Sequence, residues 1–199
     1  MTGIIDYGVG NLHSVSKALA ALGCPSRIVS SGREFAACRR LILPGVGAFP
    51  DAMRALAPIK GDVCAAARDG MPLLGICLGM QLLFDSSEEC GGAEGLHLLP
   101  GAVRRFPEGM IVPHMGWSPL YGARGELFEG AGDMDAYFVH SYFCPVGGFT
   151  SARARHGEGD IMVEFSAAVQ QGRVFGTQFH PEKSGRQGLK LLNNFAHMK

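Results

Sequence analysis

Gly75-Ile76-Cys77-Leu78-Gly79-Met80-Gln81 is predicted to join an apolar strand to a helix through a turn with a cysteine at its apex. Its G-x-C-x-G form is the thiol counterpart of the nucleophile elbow. Small neighbours relieve crowding around a strained backbone, and the first N–H groups of the helix stabilise a thiolate. The stretch predicts that Cys77 is a nucleophile, although the motif alone also fits a buried structural cysteine.

Short apolar runs alternate with helical patterns on both sides of this stretch. Up to residue 84 we predict strands at 3–7, 27–29, 40–43 and 72–76, and helices at 12–22, 51–69 (with a break at Pro58 or Gly61) and 78–84. This rhythm predicts an α/β fold in three layers, in which helices flank a mostly parallel central sheet.

Beyond about residue 95 the pattern changes to strands joined by glycine-rich turns. These strands are predicted at 103–106, 137–140, 162–169 and 174–179. We expect them to form an antiparallel C-terminal extension of the sheet. The last segment, 187–198, has a helical apolar face that we expect to pack back on the sheet.

The composition predicts one globular domain spanning residues 1–199. Hydrophobic residues make up 47% of the chain, and 18 basic residues balance 18 acidic ones. A neutral chain has no overall field that would attract nucleic acid or an anionic membrane. No stretch approaches the ~18 apolar residues that a membrane span needs, and the N-terminus does not have the pattern of a signal peptide. We therefore expect a cytoplasmic protein with no nucleic-acid or membrane partner.

The six cysteines form no C-x-x-C pair and none has zinc-ligand spacing to a histidine. In a reducing compartment the default is a free thiol that packs as a small hydrophobic side chain. We expect no metal and no cofactor.

A thiol nucleophile needs a general base, and the base needs an orienting group. His180 is the best placed histidine, because it ends the apolar run 174–179, and strand ends are where sites collect in open α/β sheets. Pro181 favours an extended backbone at His180, so Glu182 is expected to lie on the same side and to hydrogen-bond the imidazole. The alternative is a surface histidine beside a surface glutamate, but together with the elbow the pattern favours a Cys77–His180–Glu182 triad.

Acyl transfer also requires N–H donors for the developing oxyanion. The elbow supplies one from Leu78, the residue after the nucleophile. The glycine-rich run Pro44-Gly45-Val46-Gly47 ends a neighbouring predicted strand and is expected to supply the second from Val46. A plain strand-to-helix turn is the alternative for that run.

Pro44–Gly47, Gly75–Gln81 and Gln178–Glu182 together closely resemble the class I, triad-type glutamine amidotransferases. The resemblance implies that Cys77 attacks the side-chain amide of glutamine while His180 moves the proton and Glu182 orients it. It also implies a pocket that holds the remainder of glutamine. The residues implied for that pocket are Gly47, Gln81, Glu89, Ser141 and Tyr142. Because Glu88 and Glu89 are adjacent, either could be the acidic residue of the pocket.

Four further stretches resemble the branch of this family that serves histidine biosynthesis, namely 6–11, 112–117, 137–142 and 183–184. In that branch the glutaminase forms a heterodimer with a cyclase subunit that has a (β/α)₈ barrel. The resemblance implies that Asn11, Trp117 and Lys183 contact the partner. The branch often has asparagine after the tryptophan, whereas Ser118 stands here, which puts any asparagine-specific contact in doubt.

Three other functions fit parts of the pattern. The chain could be a stand-alone γ-glutamyl-type cysteine hydrolase, the glutaminase subunit of another amidotransferase, or a catalytically silent binding subunit. Gln81 and the run 112–117 argue against the hydrolase, and the intact triad argues against the silent subunit.

Overall fold

The computed structural model describes residues 1–131, 134–159 and 161–198. Within these ranges the strands are β1 (Thr2–Ile5), β2 (Ser26–Val29), β3 (Arg40–Gly45), β4 (Leu73–Cys77), β5 (Phe84–Ser87), β6 (Ala93–Glu94), β7 (Leu99–Arg105), β8 (His114–Pro119), β9 (Asp135–His140), β10 (Tyr142–Phe143), β11 (Thr150–Glu158), β12 (Ile161–Gln171) and β13 (Val174–Thr177). The α-helices are α1 (Leu12–Ala21), α2 (Gly32–Phe35), α3 (Phe49–Leu56), α4 (Lys60–Arg68), α5 (Leu78–Leu82) and α6 (Gly185–His197).

The central sheet has seven strands in the order β11-β12-β13-β4-β3-β1-β2. Strands β2, β1, β3, β4 and β13 are parallel to one another, whereas β12 and β11 add antiparallel strands at the β13 edge. The predicted fold class, a mostly parallel sheet with an antiparallel C-terminal extension, is therefore confirmed. The order places the ends of β3, β4 and β13 side by side.

Hydrophobic clusters cover both faces of this sheet, because side chains alternate along each strand. On β3, Ile42 belongs to one cluster and Leu41 and Leu43 to the other. Helices α1 and α6 pack into the first cluster, while α3 and α4 pack into the second. The three layers expected from the sequence follow from this alternation.

The helix predicted at 78–84 is shorter than expected, and this part of the prediction was wrong. Helix α5 ends at Leu82, and Phe84 begins β5. The carbonyls of residues 82–84 accept backbone N–H groups from residues 96–99 at 2.9–3.3 Å. Those distant donors compete with helical hydrogen bonds and turn the chain into a second sheet, with strand order β10-β7-β5-β6.

The predicted helix at 51–69 is interrupted by a short 3₁₀ turn, Ala57–Ile59. The break occurs at Pro58, which lacks the N–H that a continuous helix requires, and Gly61 lies inside α4 without breaking it. Strands β8 and β11 were not predicted. On β11, buried Ala152 and Ala154 alternate with exposed arginines, so the period-two signal was present but rested on small side chains.

Among the described residues, no helix combines the length and the apolar character needed to cross a membrane.

The glycines of the elbow allow its close packing, which gives a stability prediction. A Cβ at Gly79 would lie 1.8 Å from the Leu43 carbonyl oxygen, whereas a Cβ at Gly61 meets nothing within 4 Å. We expect Gly79→Ala to lower the free energy of unfolding by about 3 kcal/mol or more. The matched control Gly61→Ala should raise it by about 0.5–1 kcal/mol, because alanine favours the helix. Urea denaturation measures both, and equal stability of Gly79→Ala and the unmodified chain would contradict the packing described.

Candidate active site

Cys77 stands at the end of β4 in a backbone conformation that only glycine adopts readily. Its φ is 55° and its ψ is −113°. Such a residue costs about 1–3 kcal/mol and persists only where the surrounding structure holds it. Two close approaches hold it, because a Cβ at Gly75 would lie 2.5 Å from the Gly79 carbonyl oxygen and Gly79 lies against β3. The turn therefore has the geometry of a nucleophile elbow, and Cys77 is 7% exposed.

A cavity of about 360 Å³ opens over the Cys77 thiol. It is lined by Val46, Gly47, Cys77, Leu78, Gln81, Glu89, Pro113, Val139, His140, Ser141, Tyr142 and His180. Every catalytic, oxyanion and substrate residue predicted from the sequence is in this set except Glu182. That volume suits a ligand of amino-acid size.

Glu182 lies behind His180 instead of lining the cavity. Its Oε1 is 2.9 Å from His180 Nδ1, and both side chains are almost fully buried. The pair does not form along an extended strand as expected, because Pro181–Lys183 is a 3₁₀ turn and only His180 itself is extended. The turn brings the carboxylate round to the imidazole, so the contact agrees with the prediction while the reason given for it was wrong.

The His180 backbone is fixed by the hairpin of β8 and β9. Its N–H donates to the Tyr137 carbonyl at 3.0 Å, and its own carbonyl accepts from the Ser184 hydroxyl at 2.7 Å. The same hydroxyl accepts the Tyr137 N–H at 3.0 Å. The direct bond and the bridge through Ser184 thus tie the histidine backbone to β9 at two points, which limits the positions that the imidazole can take.

The imidazole of His180 is poised to carry a positive charge. Burial lowers its pKa, but hydrogen bonds to Cys77 and Glu182 and the charges of these two groups outweigh burial and raise the pKa to about 9. At neutral pH the ring is therefore protonated and faces the thiol. A protonated imidazole beside a sulfur stabilises the thiolate and is ready to donate a proton to a leaving group.

The loop that follows β3 also lines the cavity. Val46 and Gly47 both line it, and Gly47 has a φ of 87°. The hydroxyl of buried Tyr7 donates to the Pro44 carbonyl at 2.9 Å and so anchors the start of the loop. Leu78, the first residue of α5, lines the cavity beside this loop, and a Cβ at Gly45 would lie 3.0 Å from the Leu78 Cβ. Because α5 has only five residues, local N–H groups contribute more to anion binding here than a helix dipole does.

Gln81 is oriented by bonds inside the protein. Its Nε2 donates to the Tyr142 carbonyl and to Gln178 Oε1, both at 3.0 Å. Gln178 Nε2 is in turn 3.9 Å from Cys77 Sγ. Both hydrogens of the Gln81 amide are thereby used, and its carbonyl oxygen remains as an acceptor at the cavity.

Glu89, not Glu88, reaches the cavity. Glu89 lines it while its Oε2 accepts the Phe49 N–H at 2.7 Å, at the start of α3. Glu88 turns to another surface groove, where its Oε2 accepts the Arg105 N–H at 3.1 Å. The sequence left open which of the two acidic residues reaches the cavity, and the structure places Glu89 there because the two side chains point to different surfaces.

Two of the three predicted partner-contact residues lie together outside the cavity. The Trp117 ring is 6.1 Å from the Tyr137 ring, and Lys183 Nζ is 5.9 Å from the same ring. Trp117 is 58% exposed, and Met115 on the same face of β8 is 62% exposed. Asn11, the third predicted partner-contact residue, caps α1, because its Oδ1 accepts the Ser14 N–H.

Four residues near the thiol were not predicted from the sequence. Pro113, Val139 and His140 line the cavity, and Gln178 contacts both Cys77 and Gln81. All four lie inside stretches that the resemblance singled out. Their proximity to Cys77 depends on contacts between distant segments, and local pattern does not reveal such contacts.

Comparisons with known proteins agree with this geometry. The family model described as "Glutamine amidotransferase class-I" matches residues 3–198. The "Imidazole glycerol phosphate synthase subunit HisH" of Moorella thermoacetica is 50% identical over 200 residues, covering 98% of this chain and 93% of that protein. The protein of the same name from Geobacillus thermodenitrificans is 51% identical, covering 98% and 94%. A solved structure named "Crystal structure of glutamine amidotransferase" has a TM-score of 0.75 at 22% identity and covers 99% of both chains, which supports the fold alone.

The charge on His180 can be tested without measuring turnover. Because the Glu182 carboxylate favours the protonated imidazole, Glu182→Gln should lower the pKa of His180 from about 9 by about one unit or more. NMR titration of the labelled histidine measures this shift. The control Glu108→Gln changes an exposed carboxylate and should leave the titration unchanged. An unaltered His180 pKa in Glu182→Gln would refute the pairing.

Proposed function

The chain belongs to the class-I glutamine amidotransferase family, and we propose that it is the glutaminase subunit of an imidazole glycerol phosphate synthase, acting in histidine biosynthesis in the cytoplasm. One observation carries this proposal most directly. A strained cysteine lies beside His180, which is backed by the buried carboxylate of Glu182, and the cysteine and the histidine both line a cavity of amino-acid size. The identity of about half to the two synthase subunits, over nearly the whole chain, supports the choice of this synthase within the family.

The first half of the reaction is an attack by Cys77 on the side-chain amide carbon of glutamine. The N–H groups of Val46 and Leu78 stabilise the oxyanion that forms. The amide nitrogen takes the proton of the His180 imidazolium, the C–N bond breaks, and ammonia leaves. The product on the protein is a γ-glutamyl thioester, and His180 is now neutral.

The second half is hydrolysis of the thioester. Neutral His180 takes a proton from water, and the resulting hydroxide attacks the thioester carbonyl. The C–S bond breaks, glutamate leaves, and the thiolate–imidazolium pair is restored. Glu182 stabilises the imidazolium in both halves through the 2.9 Å contact at Nδ1.

Bound glutamine is held at its other end by Gln81, Glu89, Ser141 and Tyr142. The oxygen of Gln81 and the carboxylate of Glu89 are acceptors suited to the α-ammonium group. The backbone at Ser141 and Tyr142 completes the wall of the cavity. Because these residues hold the α-amino and carboxylate end of glutamine, only the side-chain amide reaches the thiol.

The ammonia passes to a cyclase subunit with a (β/α)₈ barrel, which forms a heterodimer with this chain. There it is consumed in making imidazole glycerol phosphate and aminoimidazole carboxamide ribotide. The patch of Trp117, Tyr137 and Lys183 supports this docking, because an exposed aromatic and apolar surface beside a catalytic cavity is typical of a binding face. Asn11 is assigned to the same interface by the family resemblance.

A glutaminase assay with and without the cyclase and its nucleotide substrate tests the proposal. Ammonia release should be slow for the chain alone and should rise when both are present. Cys77→Ala should lower it at least about a thousandfold, because the covalent step is lost. Added ammonium salt should still supply the cyclase in that complex, which separates loss of the nucleophile from loss of assembly. Undiminished ammonia release by Cys77→Ala would refute the mechanism.

The docking surface has a separate test. Trp117→Ala should weaken cyclase binding by about thirtyfold, as expected for an aromatic anchor at an interface. Ile28→Ala is the matched control, since Ile28 is 52% exposed on the far edge strand β2. Isothermal titration calorimetry gives both dissociation constants. If the two variants bind equally well, the interface lies elsewhere.

A further inference from the structure

Two buried histidines lie beside the cavity without a part in the mechanism. His114 is on β8 and His140 ends β9, and the two residues pair in the register of the hairpin. They are 4% and 6% exposed. A buried histidine that is neither charged nor bound to a metal must satisfy both ring nitrogens within the protein.

The two rings belong to one continuous chain of hydrogen bonds. Ser118 Oγ is 2.8 Å from His114 Nε2, and His114 Nδ1 is 3.0 Å from His140 Nε2. His140 Nδ1 is 2.8 Å from the Tyr142 carbonyl oxygen. That oxygen is the same one that accepts the Gln81 side chain. These hydrogen bonds therefore run without a gap from the inner face of β8 to the substrate end of the cavity.

Both rings are neutral at physiological pH. Burial lowers the pKa of His114 to about 4, helped by the charge of His156. Burial also lowers the pKa of His140 to about 3; the Tyr142 carbonyl opposes this, and the charges of His114, His156 and His180 add to it. His156 stacks on His114 with ring centroids 4.3 Å apart, and its own Nε2 is 2.7 Å from the Ile111 carbonyl.

Because both rings are neutral, the donors and acceptors of this hydrogen-bond chain can be arranged in only one direction. A carbonyl oxygen can only accept, so His140 carries its proton on Nδ1 and its Nε2 is an acceptor. His114 must then donate from Nδ1, which leaves its Nε2 to accept the Ser118 hydroxyl. Any reversal would place two acceptors face to face at about 3 Å.

The last bonds of the hydrogen-bond chain determine which atom of the Gln81 amide faces the cavity. The Tyr142 carbonyl is held between His140 and Gln81 and takes one of the two Nε2 hydrogens, while Gln178 takes the other. Rotation of the Gln81 amide by half a turn would set its oxygen against two acceptor oxygens. The amide is thus fixed with its oxygen available at the cavity.

We propose that Ser118, His114 and His140 form a one-directional hydrogen-bond relay that holds the Tyr142 carbonyl and thereby the Gln81 amide in the orientation that binds glutamine. Ser118 and His114 are then positioning residues, which act on the substrate through others. This inference rests on the proposed function, because it takes glutamine as the ligand of the cavity. It also gives Ser118, which stands where the family often has asparagine, a task of its own.

The tautomers of the two rings test the relay directly. In long-range proton–nitrogen NMR spectra of the full chain labelled with ¹⁵N-histidine, His114 and His140 should both carry the proton on Nδ1. Both should stay neutral from pH 5.5 to pH 8, since the pKa values of the two rings are about 4 and about 3. A proton on Nε2 of either ring, or a charged ring in that range, overturns the relay.

Variants of Ser118 test its effect on the substrate in the complex with the cyclase. Ser118→Ala removes the first donor and should raise KM for glutamine by about fivefold with kcat changed by less than about twofold. Ser118→Thr keeps the hydroxyl and should restore KM to within about twofold. An unchanged KM in Ser118→Ala, or equal impairment of both variants, overturns the positioning role.

The two proposals fail in different ways. The tautomers are measured without turnover, so the absence of ammonia release from glutamine in the complex with the cyclase and its nucleotide substrate refutes the glutaminase function and leaves that measurement in place. Conversely, Cys77-dependent ammonia release together with Nε2-protonated rings refutes the relay alone.

Discussion

The left-handed backbone at Cys77 is the constraint on which the rest of the site depends. With a φ of 55°, this residue ends β4 and directs its side chain out of the sheet before α5 begins. The conformation is unfavourable by itself, so the packing around it must offset its free-energy cost. Gly75 and Gly79 supply that packing by letting α5 press against β3 at distances that no side chain would allow. The thiol is rigidly placed because its surroundings leave it no relaxed alternative.

The order of the strands in the sheet brings the strained cysteine together with the other residues of the site. Because β4 lies between β3 and β13 and is parallel to both, the carboxyl ends of the three strands bring Val46, Cys77 and His180 to the same edge. The β8–β9 hairpin then closes the edge from above, with Ser184 joining it to His180. His180 and His140, which both line the cavity, differ in their protonation state. Hydrogen bonds to Cys77 and Glu182 and the charges of these groups raise the pKa of His180, whereas burial lowers the pKa of His140 and keeps that ring neutral.

Much of this could be predicted from the sequence, and the failures have a common origin. The elbow, the base and the parallel sheet follow from local patterns, because glycine spacing and apolar runs report on nearby backbone. Helix α5 was predicted too long because the donors at residues 96–99 that compete for its carbonyls are remote in sequence. Gln178 was missed for the same reason, since it meets Gln81 across 97 residues. Glu88 and Glu89 could not be told apart until the structure showed that Glu89 caps the start of α3.

Cys77, alone among six cysteines, is expected to form a covalent bond with the substrate. Acid-quenching the complex during steady-state turnover of isotopically labelled glutamine, followed by mass-spectrometric mapping of the labelled peptide, detects that bond. We expect a γ-glutamyl thioester on the peptide that contains Cys77, at a level that falls to zero when glutamine is exhausted. A label on the exposed Cys90, or continued ammonia release with no thioester on any cysteine, would contradict it.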